Sequence, residues 1–238
     1  MSKCVLCYSG GMDSTVLLYH AARIHSEVHA LSFVYGQRHL KEHEYAQRNI
    51  SKFSKGVHHR VIDVSFFKDV ASISALTNND IDVAKAKDVM GDPQTVNYVP
   101  FRNLMLLSIA CAAAETVGAD TVYHGAAQAD SVAGYWDGSS QFIDAINQVN
   151  LLNRRNKIKI DAPLLKLSKE EIIKYGVELG VSFGDTWTCY EGKEQACGTC
   201  TACSLRLKGF IDAKIQDPTP YAKHIPWDKL MGVTSAAV

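Results

Sequence analysis

Apolar positions along this chain recur with a period of two in some stretches and of three to four in others, and the order of those stretches predicts the architecture. Residues 3–8 (Lys-Cys-Val-Leu-Cys-Tyr) are a short apolar run that stops just before Gly10-Gly11, the pattern of a buried parallel strand entering a tight turn. Val16, Leu17, Leu18 and Ala21 then repeat with helical spacing up to His25. Val28, Ala30, Leu31, Phe33 and Val34 predict a second strand, a polar helix follows over about 40–53, and Val57–Asp63 predicts a third strand. Strand, helix, strand, helix, strand in that order argues for an α/β fold, a doubly wound parallel sheet with helices on both faces.

The middle of the chain is less regular. Residues 71–98 show no sustained period and carry Asn78-Asn79-Asp80 and Gly91-Asp92-Pro93, so they read as a long loop or a partly helical excursion. Asn103–Val117 is Ala-rich and predicts a helix buried nearly all round, followed by a short strand at Thr121–His124 that ends at Gly125. A helix around Gln141–Asn153 and a last strand at Ile158–Ile160 come next. Ser168-Lys169-Glu170-Glu171 is a capping box that opens a helix ending at Gly180. From Phe183 onward the chain reads as short and irregular. The expected organisation is one catalytic domain over 1–182 with a C-terminal extension over 183–238.

Composition changes this picture in two places. The 25 basic residues equal the 25 acidic ones, so the global field gives no reason to expect tight nucleic-acid or anionic-membrane binding. No run approaches the roughly 20 apolar residues of a membrane span, and the N-terminus lacks the layout of a signal peptide, so a cytoplasmic location is expected. Four of the seven cysteines, Cys189, Cys197, Cys200 and Cys203, crowd into one segment with the spacing C-x7-C-x2-C-x2-C. In a reducing compartment that clustering favours a metal over disulfides. Four thiolates suit a closed tetrahedral zinc site; a redox pair or an iron–sulfur cluster is the alternative, and nothing in the sequence asks for electron transfer. Cys4 and Cys7 share the C-x2-C spacing but on a strand would face opposite sides, and read as core.

Candidate chemistry starts at Ser9-Gly10-Gly11-Met12-Asp13-Ser14, directly after Tyr8. Two glycines let a backbone take positive φ and approach an oxyanion without a Cβ in the way, the helix that follows aims its unpaired amides at the same place, and both serines add donors. No Gly-Lys-Ser/Thr follows, so this is not a Walker loop. A second group, Tyr35-Gly36-Gln37-Arg38-His39 with Glu42, follows the second strand at a carboxyl edge where ligands collect in such sheets. There Arg38 and His39 are candidates to contact phosphates or a developing anion, with Glu42 orienting one of them. Val99-Pro100-Phe101-Arg102-Asn103 puts Arg102 at a helix N-terminus, where a cation opposes the dipole and calls for a compensating anion.

The Ser-Gly-Gly-x-Asp-Ser loop resembles the signature of the PP-loop ATP pyrophosphatases, which cleave ATP between the α and β phosphates to make an adenylate. Taken with Tyr-Gly-Gln-Arg-His-x-x-Glu, Val-Pro-x-Arg-Asn and the four cysteines, the chain resembles the 7-cyano-7-deazaguanine synthase (QueC, or ExsB) family from Lys3 to Tyr221. The resemblance implies ATP, Mg2+ and Zn2+ as cofactors, a small-molecule 7-deazaguanine substrate with ammonia, and a homodimer. Carried onto this sequence, it implies ATP binding by residues 8–14 and Gly125, with Asp13 helping to hold magnesium. It also implies catalysis by Ser9, Asp13, Ser14, Arg38, His39 and Arg102. The implied reaction adenylates 7-carboxy-7-deazaguanine, forms the amide with ammonia, and adenylates again to reach the nitrile.

One segment departs from the family. Where members carry Gly-Tyr-Pro-Asp-Cys-Arg, this chain has Gly134-Tyr135-Trp136-Asp137-Gly138-Ser139, preceded by Asp130. An aspartate suits the N1–H and 2-amino edge of a guanine-like base, and Tyr135 or Trp136 can stack on it, so Asp130, Tyr135 and Asp137 join Tyr35, Gln37, Glu42 and Arg102 as expected substrate contacts. Loss of the arginine leaves two other readings open: an amide ligase delivering the adenylate to a protein or nucleic-acid amine, and a non-catalytic nucleotide-binding module.

Overall fold

Cys4 and Leu6 point to one face of the first strand and Val5 to the other, and each face builds its own hydrophobic core. The structure is a computed structural model that describes residues 2–38, 40–92, 95–128, 130 and 134–232. Strand β1 (Lys3–Cys7) lies at the centre, flanked by β2 (Glu27–Val34) and β4 (Thr121–Tyr123), with β3 (Val57–Asp63) and β5 (Lys159–Asp161) outermost. The order is β3-β2-β1-β4-β5 and every pairing is parallel. The winding reverses between β1 and β4, so the loops leaving those strands diverge and open a crevice at their carboxyl ends.

Helices α5 (Arg102–Val117) and α6 (Ser140–Asn150) cover one face, packing Leu107, Ala110, Phe142 and Ile143 beside Val5, Val122 and Ile160. Helices α1 (Met12–Ile24), α7 (Lys169–Leu179) and α8 (Thr201–Asp212) cover the other with Val16, Leu17, Ile172 and Phe210. Helix α2 (Lys41–Ile50) sits at the margin, giving Tyr45 to the first core and Ala46 to the second. Three single-turn helices, α3 (Phe67–Val70), α4 (Ala86–Val89) and α9 (Trp227–Leu230), lie outside these layers. The Ser168 capping box is formed as expected, and α7 stops at Gly180 in the left-handed region.

Two expectations are corrected. Helix α5 is not buried all round: Leu107, Ala110 and Ala114 are buried while Ser108, Ala112 and Thr116 are exposed. Its alanines raise hydrophobicity without marking a face, so the sequence could not show that only one side meets the sheet. The chain after Phe183 is also not irregular throughout. Cys200 caps α8 by accepting from the Cys203 amide, and Ala202, Arg206, Gly209, Phe210 and Ala213 form its buried stripe. Of the four clustered cysteines, Cys200 is the cap of this helix and Cys203 lies in its first turn.

The 71–98 excursion is the partly helical loop foreseen, although Pro93 in its turn lies outside the described residues. It is held from within by Asn97, which exchanges two 3.0 Å hydrogen bonds with the Ala84 backbone, and from outside by a bridge between Lys85 and Cys200. No helix among the described residues is long and apolar enough to cross a membrane.

Candidate active site

The loop after β1 turns on one glycine. Gly10 has φ +88°, and a Cβ there would lie 2.7 Å from the Ala46 nitrogen and against the Glu42 carbonyl, so the loop can lie on α2 only because that Cβ is missing. Gly11 is ordinary, with φ −71° at the N-cap of α1. The expectation that both glycines supply positive φ is thus met at Gly10 alone. Four hydroxyl contacts close the loop: the Gly11 amide donates to Ser9 Oγ at 3.1 Å, Ser9 Oγ and Ser14 Oγ lie 3.1 Å apart, the Ser9 amide donates to Ser14 Oγ at 3.3 Å, and Ser14 Oγ donates to the Gly11 carbonyl at 3.2 Å. The first turn of α1 has no side-chain cap, which leaves its amides for an anion.

That turn opens into a cleft of about 280 Å³. At its phosphate-loop end are Tyr8, Ser9, Gly11, Met12, Asp13 and Ser14, with Gly125 and Asp130 facing from the loop after β4. At the far end are Tyr35, Gln37, Arg102, Tyr135 and Asp137, while Glu42, whose Oε1 would lie 3.8 Å from a Cβ on Gly11, lines the cleft beside the loop. Fourteen of the sequence-predicted nucleotide and substrate residues therefore line one cavity. Gly10 does not, because it supports the loop from behind. Arg38 does not either: it turns into the 71–98 excursion and donates to the carbonyls of Asn78 at 2.7 Å and Ile81 at 2.8 Å. His39 lies outside the described residues, as does Ala129 beside Asp130.

Lys169 is the residue that sequence reading missed at the phosphate end. It donates to Asp13 Oδ2 at 2.8 Å; burial would lower its pKa, but the Asp13 and Asp130 carboxylates outweigh that and hold it charged. Its position is set by α8, since a Cβ on Gly209 would lie 2.6 Å from Lys169 Cβ. Asp13 Oδ1 is buried without a partner among the described residues, and burial and the Asp13 carboxylate raise the Asp130 pKa. Two carboxylates close enough to repel, one with an orphaned oxygen, fit a hard divalent cation bound through oxygen.

At the far end Arg102 Nη1 donates to Tyr35 Oη at 3.3 Å and Nε to Asn103 Oδ1 at 3.2 Å. Burial would lower its pKa, but Tyr35, Asp137 and Tyr190 face it and raise it, which supplies the anionic and polar surroundings expected for a cation at this helix end. Glu42 keeps some surface open to the cleft, yet burial pushes it up to about 8 against the pull of Arg102. Tyr98, Asn97, Asn103, His124, Thr188 and Tyr190 also line the cleft and were not foreseen.

The four cysteine sulfurs lie within 4.8 Å of one another, with Cys197 and Cys203 3.9 Å apart. A disulfide needs about 2.05 Å, whereas four thiolates at about 2.3 Å from a tetrahedral zinc sit about 3.8 Å apart. Amides of Cys197, Thr199, Cys200 and Cys203 donate to three of the sulfurs at 3.3–3.5 Å, as suits thiolates. The cluster reaches the cleft through Trp187, whose Nε1 donates to the Cys189 carbonyl and whose amide donates to the Gly10 carbonyl, both at 3.2 Å.

Comparison with known proteins decides the family. The family model described as Queuosine biosynthesis protein QueC matches residues 3–214. The chain belongs to the QueC family. It is similar to the 7-cyano-7-deazaguanine synthase of Alteromonas mediterranea, 43% identical over 91% of this chain and 97% of that one. The 7-cyano-7-deazaguanine synthase 1 of Colwellia psychrerythraea is 40% identical over 92% of this chain and 98% of that one. Among solved structures, NMN synthetase from Francisella tularensis is more distant, with 14% identity and a TM-score of 0.46 over 81% of this chain and 68% of that one.

Trp136 is the largest side chain of the departing 134–139 segment. Its Nε1 donates to Tyr98 Oη at 2.8 Å, and its ring packs edge-on against Phe101 and Phe142. The same Tyr98 oxygen accepts from the Phe101 amide at 3.2 Å, where the chain takes φ +53° before α5. Trp136 thus ties the loop carrying Tyr135 and Asp137 to the end of the 71–98 excursion, and Tyr98 and Tyr135 stand nearly parallel, 6.3 Å between centroids.

Proposed function

We propose that this chain is an ATP-dependent carbon–nitrogen ligase that converts 7-carboxy-7-deazaguanine and ammonia to 7-cyano-7-deazaguanine, the compound whose synthesis its relatives are named for. The observation that carries the reading is the single cleft with an anion-binding helix end and Lys169 at one end and Arg102, Tyr135 and Asp137 at the other. A molecule that joins a phosphate to a guanine-like ring through one carbonyl carbon has that layout. Amides of the loop and the Lys169 ammonium stabilise pyrophosphate as it leaves, so that AMP passes to the substrate carboxylate. Asp13 and Asp130 would hold Mg2+, which spreads the phosphate charge. Asp137 accepts from the N–H edge of the base, and Tyr35 and Tyr135 flank its faces. After ammonia forms the amide, a second adenylation and elimination give the nitrile.

The test is incubation with ATP, Mg2+, the carboxylate and ammonium, with products read by mass and pyrophosphate by a coupled assay. Nitrile with two pyrophosphates released per product is expected. A reaction that stops at the amide, or no pyrophosphate release, overturns the reading.

Residues 183–238 are read as the zinc-bearing extension, and one Zn2+ per chain is expected by atomic emission. Stripping it with a chelator is expected to remove ATP binding together with the metal, because Trp187 connects the thiolates to Gly10; calorimetry before and after zinc is restored checks this. The protein is further read as a cytoplasmic homodimer, which sedimentation of the zinc-replete protein tests.

A further inference from the structure

His124 follows β4 at the wall of the cleft, 9% exposed, and the proposed reaction gives it no role so far. The Asp137 main-chain carbonyl beside its ring favours the protonated form, as an acceptor facing an imidazole N–H does. Nε2 is buried and has no partner among the described residues. A nitrogen so placed is costly to leave unpaired, and in a cavity wall a ligand completes it.

Two features fix what Nε2 offers. The N–H to Asp137 must then belong to Nδ1, so in the neutral ring Nε2 presents a lone pair. Burial and the Arg102 cation on α5 keep the ring neutral, lowering its pKa to about 4 against the pull of the Asp137 carbonyl. The ligand group that meets it is therefore a hydrogen donor.

Position says which donor. Gly125, the next residue, lies against the phosphate loop, since a Cβ there would be 3.7 Å from Ser14 Cα. On its other side the ring faces the main chain of Asp137, from the loop that carries Tyr135. His124 stands between the two ends of the cleft, beside the place where the carbonyl carbon must link phosphate to base.

Resting on the function proposed above, we propose that His124 Nε2 is the proton acceptor for the ammonia that attacks the acyl-adenylate. The nitrogen lone pair forms the C–N bond, the C–O bond to AMP breaks with its electron pair leaving on AMP, and Nε2 takes one of the three ammonia protons. The products are the amide, AMP and one proton, which the weakly basic ring passes to water or to the departing phosphate.

The test separates adenylation from capture. Exchange of labelled pyrophosphate into ATP with the carboxylate and no ammonium reads the first; kcat/KM for ammonia reads the second. For His124→Phe, exchange is expected to stay within about threefold of the parent while capture falls about 100-fold or more, the usual size of general-base assistance. His124→Gln, which keeps an acceptor, is expected to recover part of the loss. Hydroxylamine, unprotonated at neutral pH and in less need of a base, is expected to show a much smaller drop in hydroxamate formation. Exchange that falls in parallel with capture, capture that is unchanged, or equal losses with both nucleophiles overturns the assignment. A parent enzyme without exchange overturns the proposed function itself, and this assignment with it.

Discussion

Replacing Asp217 by asparagine is expected to cost about 3–5 kcal/mol of folding stability, the usual price of removing one partner of a buried ion pair. Arg206 is 1% exposed and all five of its N–H donors are in use. Nε and Nη2 form a bidentate pair with Asp217 at 2.8 and 2.9 Å, and the other donors reach Thr186 Oγ1, Thr188 Oγ1 and the Phe183 carbonyl at 2.8–3.1 Å. Tyr221 Oη and the Thr219 amide donate to the same carboxylate. An amide in its place turns one acceptor oxygen into a donor that faces other donors, and leaves the guanidinium charge unpaired. For a chain of this size the midpoint of thermal unfolding is expected to drop by roughly 6–20 °C. Asp212→Asn, which removes the exposed Lys208 pair, is the control and changes stability by less than about 1 kcal/mol.

The pH dependence of this pair has a definite sign. Burial would raise the Asp217 pKa, but Arg206 overrides it and holds the carboxyl below its usual range. A depressed folded-state pKa gives stability that is complete above the unfolded value, near 3.9, and is lost as pH falls through the folded one. Denaturant titrations of the zinc-replete protein are expected to show that acid loss in the parent, and a smaller one in Asp217→Asn. A variant as stable as the parent at pH 7 would show that the pair does not hold the C-terminal segment.

This pair also marks where sequence reading ran out. The parallel strands were legible because short apolar runs before glycines announce them, and the phosphate loop because its chemistry is confined to six consecutive residues. Arg206, Asp217 and Lys169 carry no such local mark. Lys169 stood in plain view inside the capping box, but what makes it a site residue is an ion pair to Asp13, 156 positions away in sequence, set by the contact at Gly209. Arg38 failed in the opposite sense. Its motif is sound, yet in the fold its guanidinium finds the carbonyls of the 71–98 excursion before it finds the cleft. The Trp136 departure was visible in the sequence as a loss; only the fold shows its compensating bond to Tyr98. His124 sits next to a glycine that was singled out, and nothing in its neighbours along the chain says that one ring nitrogen is left unpaired.

Asp13→Asn is expected to reduce pyrophosphate release by roughly 10²- to 10³-fold, the scale of removing one electrostatic element from a preorganised site, with little change in folding. Asp13 packs in neither core; its Oδ2 takes the Lys169 ammonium at 2.8 Å and its Oδ1 is buried without a partner among the described residues. The asparagine keeps the shape but gives up the charge that holds Mg2+ and restrains Lys169. With Asp13 gone, Lys169 retains only Asp130 as a counter-charge, and its pKa is expected to fall, since burial is then opposed by one carboxylate in place of two. The loss should therefore be steeper at alkaline pH, where the variant's lysine begins to give up its proton while the parent's does not. Ser9→Ala, which removes a loop-closing hydroxyl and no charge, is expected to lose about tenfold with no such change in pH profile. Measuring pyrophosphate release for the three proteins across pH distinguishes the cases. An Asp13→Asn enzyme that keeps the parental rate and profile would mean that loop amides and the lysine suffice without the carboxylate, and that the Asp13–Asp130 pair is not where the metal acts.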